Sequence, residues 1–266
     1  MMMTDSLLLA LAGLVVGVTI GLTGVGSGSL MTPILVLLVG QPPSVAVGTD
    51  LVFSAVTKLA ATTSFSYSRK VDWGIVWRLT LGSLPGAGMT VFWLWSTRHR
   101  RAPPDATILH YLAVILALGA LVLLLQEPLR RLGVRVTASW LQRHERYTQL
   151  LTVLAGLILG VTVALTSVGA GALGVVILLC LYPLRLAPDR LVATDIAQAL
   201  PVTLLAATGH SALGHVDLRV LVCLLVGSIP GVLIASRAAI RLPESLSRTL
   251  IGAMLAVVSE RMLFGG

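Results

Sequence analysis

The sequence predicts an all-α polytopic membrane protein made of two inverted repeats, each with a glycine-broken helical hairpin plus three spanning helices. Three observations predict it. Only 11% of the 266 residues are charged and 56% are apolar, with a mean hydropathy of +0.94. A domain covered by water carries about 25% charged residues. The apolar residues fall in runs close to the roughly 20 residues a helix needs to cross a bilayer. Finally, the chain repeats itself. Leu22-Thr23-Gly24-Val25-Gly26-Ser27-Gly28-Ser29-Leu30 recurs 143 residues later as Leu165-Thr166-Ser167-Val168-Gly169-Ala170-Gly171-Ala172-Leu173. Val47-Gly48-Thr49-Asp50 returns as Val192-Ala193-Thr194-Asp195, and Val71-Asp72 as Val216-Asp217. Gly82-Ser83-Leu84-Pro85-Gly86 returns as Gly227-Ser228-Ile229-Pro230-Gly231, and these three pairs share an offset of 145. Matched glycine breaks in two halves mark a membrane protein assembled from internal repeats.

In chain order, the first repeat (1–126) opens with the apolar run 7–22, a glycine break at 24–28 and a short run at 30–39. As one continuous helix, residues 7–39 would reach about 50 Å, against a hydrocarbon core near 30 Å. The element therefore reads as a helix, an irregular turn within the membrane and a half-helix. Such backbone survives in lipid only where protein or a wet cavity satisfies its polar groups. A tight hairpin, or glycines used only for close packing, are the alternatives. Spans at 45–65, 74–95 and 107–125 follow. A polar stretch, 127–147, carries Arg130, Arg131, Arg135, Arg143 and Arg146 and is expected to be a cytoplasmic linker. The second repeat (148–266) then restarts the pattern: 150–165, a break at 167–171, 173–181, 191–213, 218–235 and 246–264. The first run lacks a basic leader and a cleavage-site pattern, so it is expected to stay in the protein.

Loop charges orient the chain. If each broken element returns to its starting side, twelve basic residues, among them Arg69, Lys70, Arg185, Arg190 and Arg237, share one side and five lie opposite. The positive-inside rule favours that arrangement. It places the linker in the cytoplasm and both termini outside a cell's inner (plasma) membrane. Three crossings then separate the repeat starts, which inverts one half relative to the other. Arg98, Arg100 and Arg101 fall on the outer side against the rule.

Candidate site residues follow from the repeat. Half-helix N-termini present free N–H groups and a positive dipole end, which favour an anion. Thr23, Gly24, Gly26, Ser27 and Gly28 of the first break, with Ser29, are substrate-binding candidates, as are Thr166, Ser167, Gly169 and Gly171 of the second. The hydroxyls donate, and the glycines let backbone approach a ligand. Asp50, Ser54 and Lys58 are spaced by fours and share a helix face. Lys58 is the candidate for neutralising a buried anion; snorkelling to the interface is its alternative role. Its counterpart is Thr203, and Gln198 lies one turn from Asp195. The pairs Thr49-Asp50 and Thr194-Asp195 fit either a site for a coupling proton or cation or a helix cap.

Other features point away from different chemistry. The net charge of +8 sits in short loops and follows membrane topology, not nucleic acid. Cys180 and Cys223 form no metal or disulfide pattern. His110 and His210 read as hydrogen-bonded structural residues, and the prolines at 85 and 230 as kinks. Trp73, Trp77, Trp93, Trp95 and Trp140 read as interface anchors. No dinucleotide, Walker or metal motif is present, so no cofactor and no metal are expected.

At these positions the chain resembles the sulfite exporter TauE/SafE family of membrane permeases. The resemblance rests on Gly24-x-Gly26-x-Gly28 followed by Pro33, on Ala46-Val47-Gly48-Thr49 and on Gly82-x-x-Pro85-Gly86, each partly repeated in the second half. The second half departs from it at Ser167, in place of Gly24, and in having no proline between Gly174 and Pro183. The resemblance implies secondary transport of small anions, often sulfur-containing: sulfite, thiosulfate or organosulfonates. Alternating access between the halves is the expected mode. An intramembrane serine hydrolase using Ser27 with His210, and a channel or the membrane subunit of a larger complex, are the competing expectations. The oligomeric state is left open.

Overall fold

The computed structural model describes residues 3–23, 31–37, 39–67, 70–98, 145–167, 171–182 and 185–237. All regular structure among them is helical. We number the helices α1 (Met3–Thr23), α2 (Met31–Leu37), α3 (Pro43–Tyr67), α4 (Trp73–Arg98), α5 (Glu145–Thr166), α6 (Ala172–Leu181), α7 (Pro188–Ala212) and α8 (Leu218–Arg237). The spans expected at 107–125 and 246–264, His110 and Trp140 lie outside the described residues. α5 starts at Glu145, inside the stretch read as linker, because Glu145 and Arg146 are good helix formers and extend the apolar helix outward. α4 and α8 run as continuous helices through Pro85 and Pro230.

Among the described residues, four helices are long and apolar enough to cross a membrane, and they divide by burial. In α3 and α7, 72% and 67% of the apolar stretch is buried; in α5 and α8 the share is 39%. The first pair is therefore the centre and the others the wall. Val47, Leu51 and Phe53 of α3 join Ile196, Ala199 and Val202 of α7 in one core with Val16 and Ile20 of α1 and Leu224 of α8. A second cluster joins Ile75 and Leu79 of α4, Leu159 of α5 and Leu178 of α6. The outer faces expose Leu8, Val15, Met89, Phe92, Leu150, Ile158, Val222 and Ile234, as a lipid-facing wall requires. Trp73 and Trp77 at the start of α4, and Trp93 and Trp95 near its end, are exposed, as anchors at two interfaces would be.

The wall is joined by glycines. Lipid tails are as apolar as leucine, so helices in a bilayer associate through close backbone packing, and small residues permit it. A methyl on Gly13 or Gly17 of α1 would strike the backbone of Leu224 or Ser228 of α8. The same contact recurs in the other half: Gly156 and Gly160 of α5 press on Leu79 and Ser83 of α4. Reciprocally, Gly227 and Gly231 of α8 lie on Ala10 and Leu14, and Gly82 and Gly86 of α4 on Val153 and Leu157. Numbering rises together along both pairs, so each is parallel. Every contact thus occurs twice, with the roles of the halves exchanged.

Candidate functional site

The polar centre is built on α3 and α7. Asp50 and Asp195 are each the eighth residue of their helix, so the capping alternative is corrected: α3 begins at Pro43 and α7 at Pro188, where a proline's missing N–H costs nothing. Both carboxylates are fully buried. Thr32, the second residue of α2, donates its hydroxyl to Asp50 Oδ2 at 2.6 Å. In the second half the carboxylate of Asp195 lies directly on Gly174 of α6, and only a residue without a Cβ leaves room for it. Gln198 Nε2 donates to Asp195 Oδ1 at 3.1 Å. The first turns of α2 and α6, expected to face a bound anion, are thus faced by the protein's own carboxylates.

Between them stands Lys58. Its side chain is 1% exposed, so it does not snorkel, and it interacts electrostatically with both Asp195 and Asp50. Ser54, one turn before it, is fully buried, and no described residue hydrogen-bonds its Oγ. Taking an ammonium out of water costs several kcal/mol after relaxation, a cost offset only by paired charge. The opposing carboxylates provide it. Thr203, the counterpart of Lys58, spends its hydroxyl on the carbonyls of Ala199 and Leu200.

Around the second break, Thr166 ends α5 and donates to the Thr162 carbonyl at 2.8 Å. Ser167 is buried and adopts φ 61°, the left-handed region, at the position where the first repeat has Gly24. No described residue hydrogen-bonds its Oγ. Gly171 is buried at the start of α6, its carbonyl accepting from Val175 N at 3.1 Å. Thr23 ends α1; its side chain, and Gly24, Gly26, Ser27, Gly28, Ser29 and Gly169 entirely, lie outside the described residues. His210 Nε2 is bonded to the Ala164 carbonyl at 3.0 Å, as its structural reading expects. That bond occupies the nitrogen a serine hydrolase would use as base. A hollow of about 290 Å³ between α4 and α7, lined by Gly88, Val91, Phe92, Trp95, Leu205 and Gly209 among others, offers an anion nothing polar.

Thr49 and Thr194 do something the sequence did not suggest. Thr49 Oγ1 accepts from the backbone N–H of Asp217 at 2.9 Å, and Thr194 Oγ1 from that of Asp72 at 3.1 Å. Asp72 and Asp217 are themselves the N-caps of α4 and α8: Asp72 Oδ1 accepts from Ile75 N at 3.3 Å, and Asp217 Oδ1 from Val220 N at 3.1 Å. Each cap is gripped again by the opposite half. Gln41 Nε2 donates to Asp217 Oδ2 at 2.9 Å, and Arg185 pairs with Asp72 Oδ2 at 2.9 Å. The echoed Val-Asp pairs carried the signal, but nothing in the sequence names partners more than a hundred residues away.

A wall of lipid-facing helices around a buried charged centre defines a multi-pass membrane protein of the transporter type. The chain belongs to the sulfite exporter TauE/SafE family, whose family model matches residues 9–262. It is 33% identical over 260 residues to the probable membrane transporter protein YjnA of Bacillus subtilis (strain 168), covering 97% of this chain and all of that protein. It is 26% identical over 267 residues to the probable membrane transporter protein YdhB of the same organism, with the same coverage. No solved structure matches. Family and relatives make the chain a membrane transporter, which acts on a small molecule across a lipid bilayer.

Proposed function

We propose that the chain is a secondary transporter for a small anion, sulfur-containing as the family description suggests: sulfite, thiosulfate or an organosulfonate. The observation that carries the reading is Lys58, a lysine buried to 1% exposure on a central helix and interacting with the carboxylates of both halves. A buried intramembrane charge is costly and marks a transport path by default. The hydroxyl of Ser54, one turn before it, and the amide of Gln198, bonded to Asp195, are the nearby donors the reading adds.

Alternating access between inverted halves completes the reading. Its support is the exchange of contacts. α4 lies parallel to α7, as Asp72 with Thr194, Gly88 with Leu205 and Val91 with Gly209 indicate. Because α7 and α8 are consecutive spans, the equivalent helices α4 and α8 then run opposite ways, as inversion requires. The contact of Arg185 with Asp72 also brings the basic loops near Lys70 and Arg190 to one end, which supports a cytoplasmic placement of that end.

The test is a thermal-shift panel of sulfite, thiosulfate, organosulfonates and carboxylates on detergent-purified protein, since a ligand of the folded form raises its melting temperature. We expect at least one sulfur oxyanion to stabilise the parent. We expect Lys58→Ala to abolish that shift while retaining a cooperative melt. An unchanged shift in the variant removes Lys58 from the site.

A further inference from the structure

The charge of the centre sets a condition on what it carries. Among the described residues, Asp50 and Asp195 against Lys58 leave one net negative charge on buried side chains. Neither glycine break adds a charged residue. A monoanion arriving at Lys58 would make that two. Like charges 4 Å apart repel by about 4 kcal/mol even at an effective dielectric of 20, and there is no bulk water here to relax them. The site therefore needs a positive charge to enter with the anion.

Each carboxylate already accepts one hydrogen bond on one oxygen, Asp50 from Thr32 and Asp195 from Gln198, and they differ in what else surrounds them. Asp50 receives the hydroxyl of Thr32 from α2. In α6 the residue against Asp195 is Gly174, which has no side chain to offer. Asp195 Oδ2 has no hydrogen-bond partner among the described residues, nor has Oε1 of its neighbour Gln198, although both residues are at most 1% exposed. Gln198, whose Nε2 already holds Asp195 Oδ1, thus carries a buried acceptor of the kind a carboxyl O–H can satisfy once a proton arrives. Among the described residues, the charged groups facing Asp195 are Lys58 and, beyond it, Asp50, both from α3. Residues 172–181 of α6 contain no charged group. Glu145 and Arg146 of α5 lie in its first turn, while α4 contributes Arg78 in its second turn and Arg98 at its far end, with Asp72 capping it and held by Arg185.

We propose that Asp195 is the coupling site of this transporter: one proton binds Oδ2 as each monoanion binds Lys58, and the two cross together. This rests on the anion reading above. The proton comes from water at the entry face, forms the carboxyl O–H bond, and returns to water at the exit face. The centre then carries one net negative charge both empty and loaded, so the cycle moves no charge across the membrane.

The test uses purified full-length protein in liposomes with radiolabelled ethanesulfonate, whose charge stays at minus one across the working pH range. Any pH dependence therefore belongs to the protein. We expect a pH gradient, acid outside, to accumulate the anion about tenfold per pH unit. A potassium–valinomycin potential should leave uptake unchanged and produce no current. Asp195→Asn should lose accumulation and Asp195→Glu should restore it. Uptake that follows the voltage, or undiminished pH-driven accumulation in Asp195→Asn, overturns the proposal, and the voltage measurement on the parent decides even if the variant does not fold. If sulfur oxyanions stabilise the parent but its uptake ignores pH, the coupling fails alone. If none stabilises it, the anion reading fails first.

Discussion

At Ser167 a single backbone angle separates the two halves. A left-handed conformation costs a residue with a Cβ about 1–2 kcal/mol, which glycine avoids; the first repeat has Gly24 there, and the second has a serine at φ 61°. Its hydroxyl is buried with no described partner, which is consistent with a chain that keeps the strain for the sake of a ligand. Ser167→Gly should raise the melting temperature of the empty protein, by a gain of up to about 1 kcal/mol after the added freedom of the unfolded chain is subtracted. The same change should shrink the stabilisation given by the bound anion. A variant that melts higher and keeps the full ligand shift would leave Ser167 a structural residue. The Asp50, Ser54 and Lys58 column was readable beforehand, because four-residue spacing on one helix needs no knowledge of the fold. The grip of Thr49 on Asp217 was not, since a hydroxyl's partner 168 residues away is set by packing alone.

Among the elements, the wall helices depend on backbone contact. Gly17 and Gly160 occupy equivalent places on α1 and α5, against Ser228 and Ser83. Gly17→Val and Gly160→Val should each destabilise the protein by about 1–3 kcal/mol, the usual range for overpacking. Gly88→Ala is the control: its methyl would meet only Leu205, at 3.9 Å. Thermal melts in detergent separate the three, and a valine variant that melts like the parent would show that the helix pair has room to spare. The glycines at 82, 86, 227 and 231 were visible in the sequence as part of a repeated Pro-Gly motif. Their packing partners became visible only when the first helix of each half was found against the last described helix of the other. Hydrophobic runs predict that a helix exists, but they do not say which wall helices touch, because all of them present similar apolar faces to lipid.

For the whole molecule, orientation is the property still to be measured. Arg190 and Arg219 are exposed near the starts of α7 and α8, at opposite ends of the bundle. In a cysteine-free background, Arg190→Cys should react with an impermeant maleimide only after cells are opened. Arg219→Cys should react in intact cells. The reverse pattern would turn the protein over and leave the charge count of the loops without an explanation.

The clasps at the two ends of the bundle are unlike. At the Asp72 end the clasp is ionic, and the Arg185 side chain is 52% exposed, so dissolved salt can screen it. At the Asp217 end an uncharged amide from Gln41, itself 9% exposed, makes the hold, and salt has little purchase there. The ionic clasp is therefore open to the salt of the compartment it faces, while the amide clasp is not. Two halves that echo each other in sequence thereby end in two different clasps.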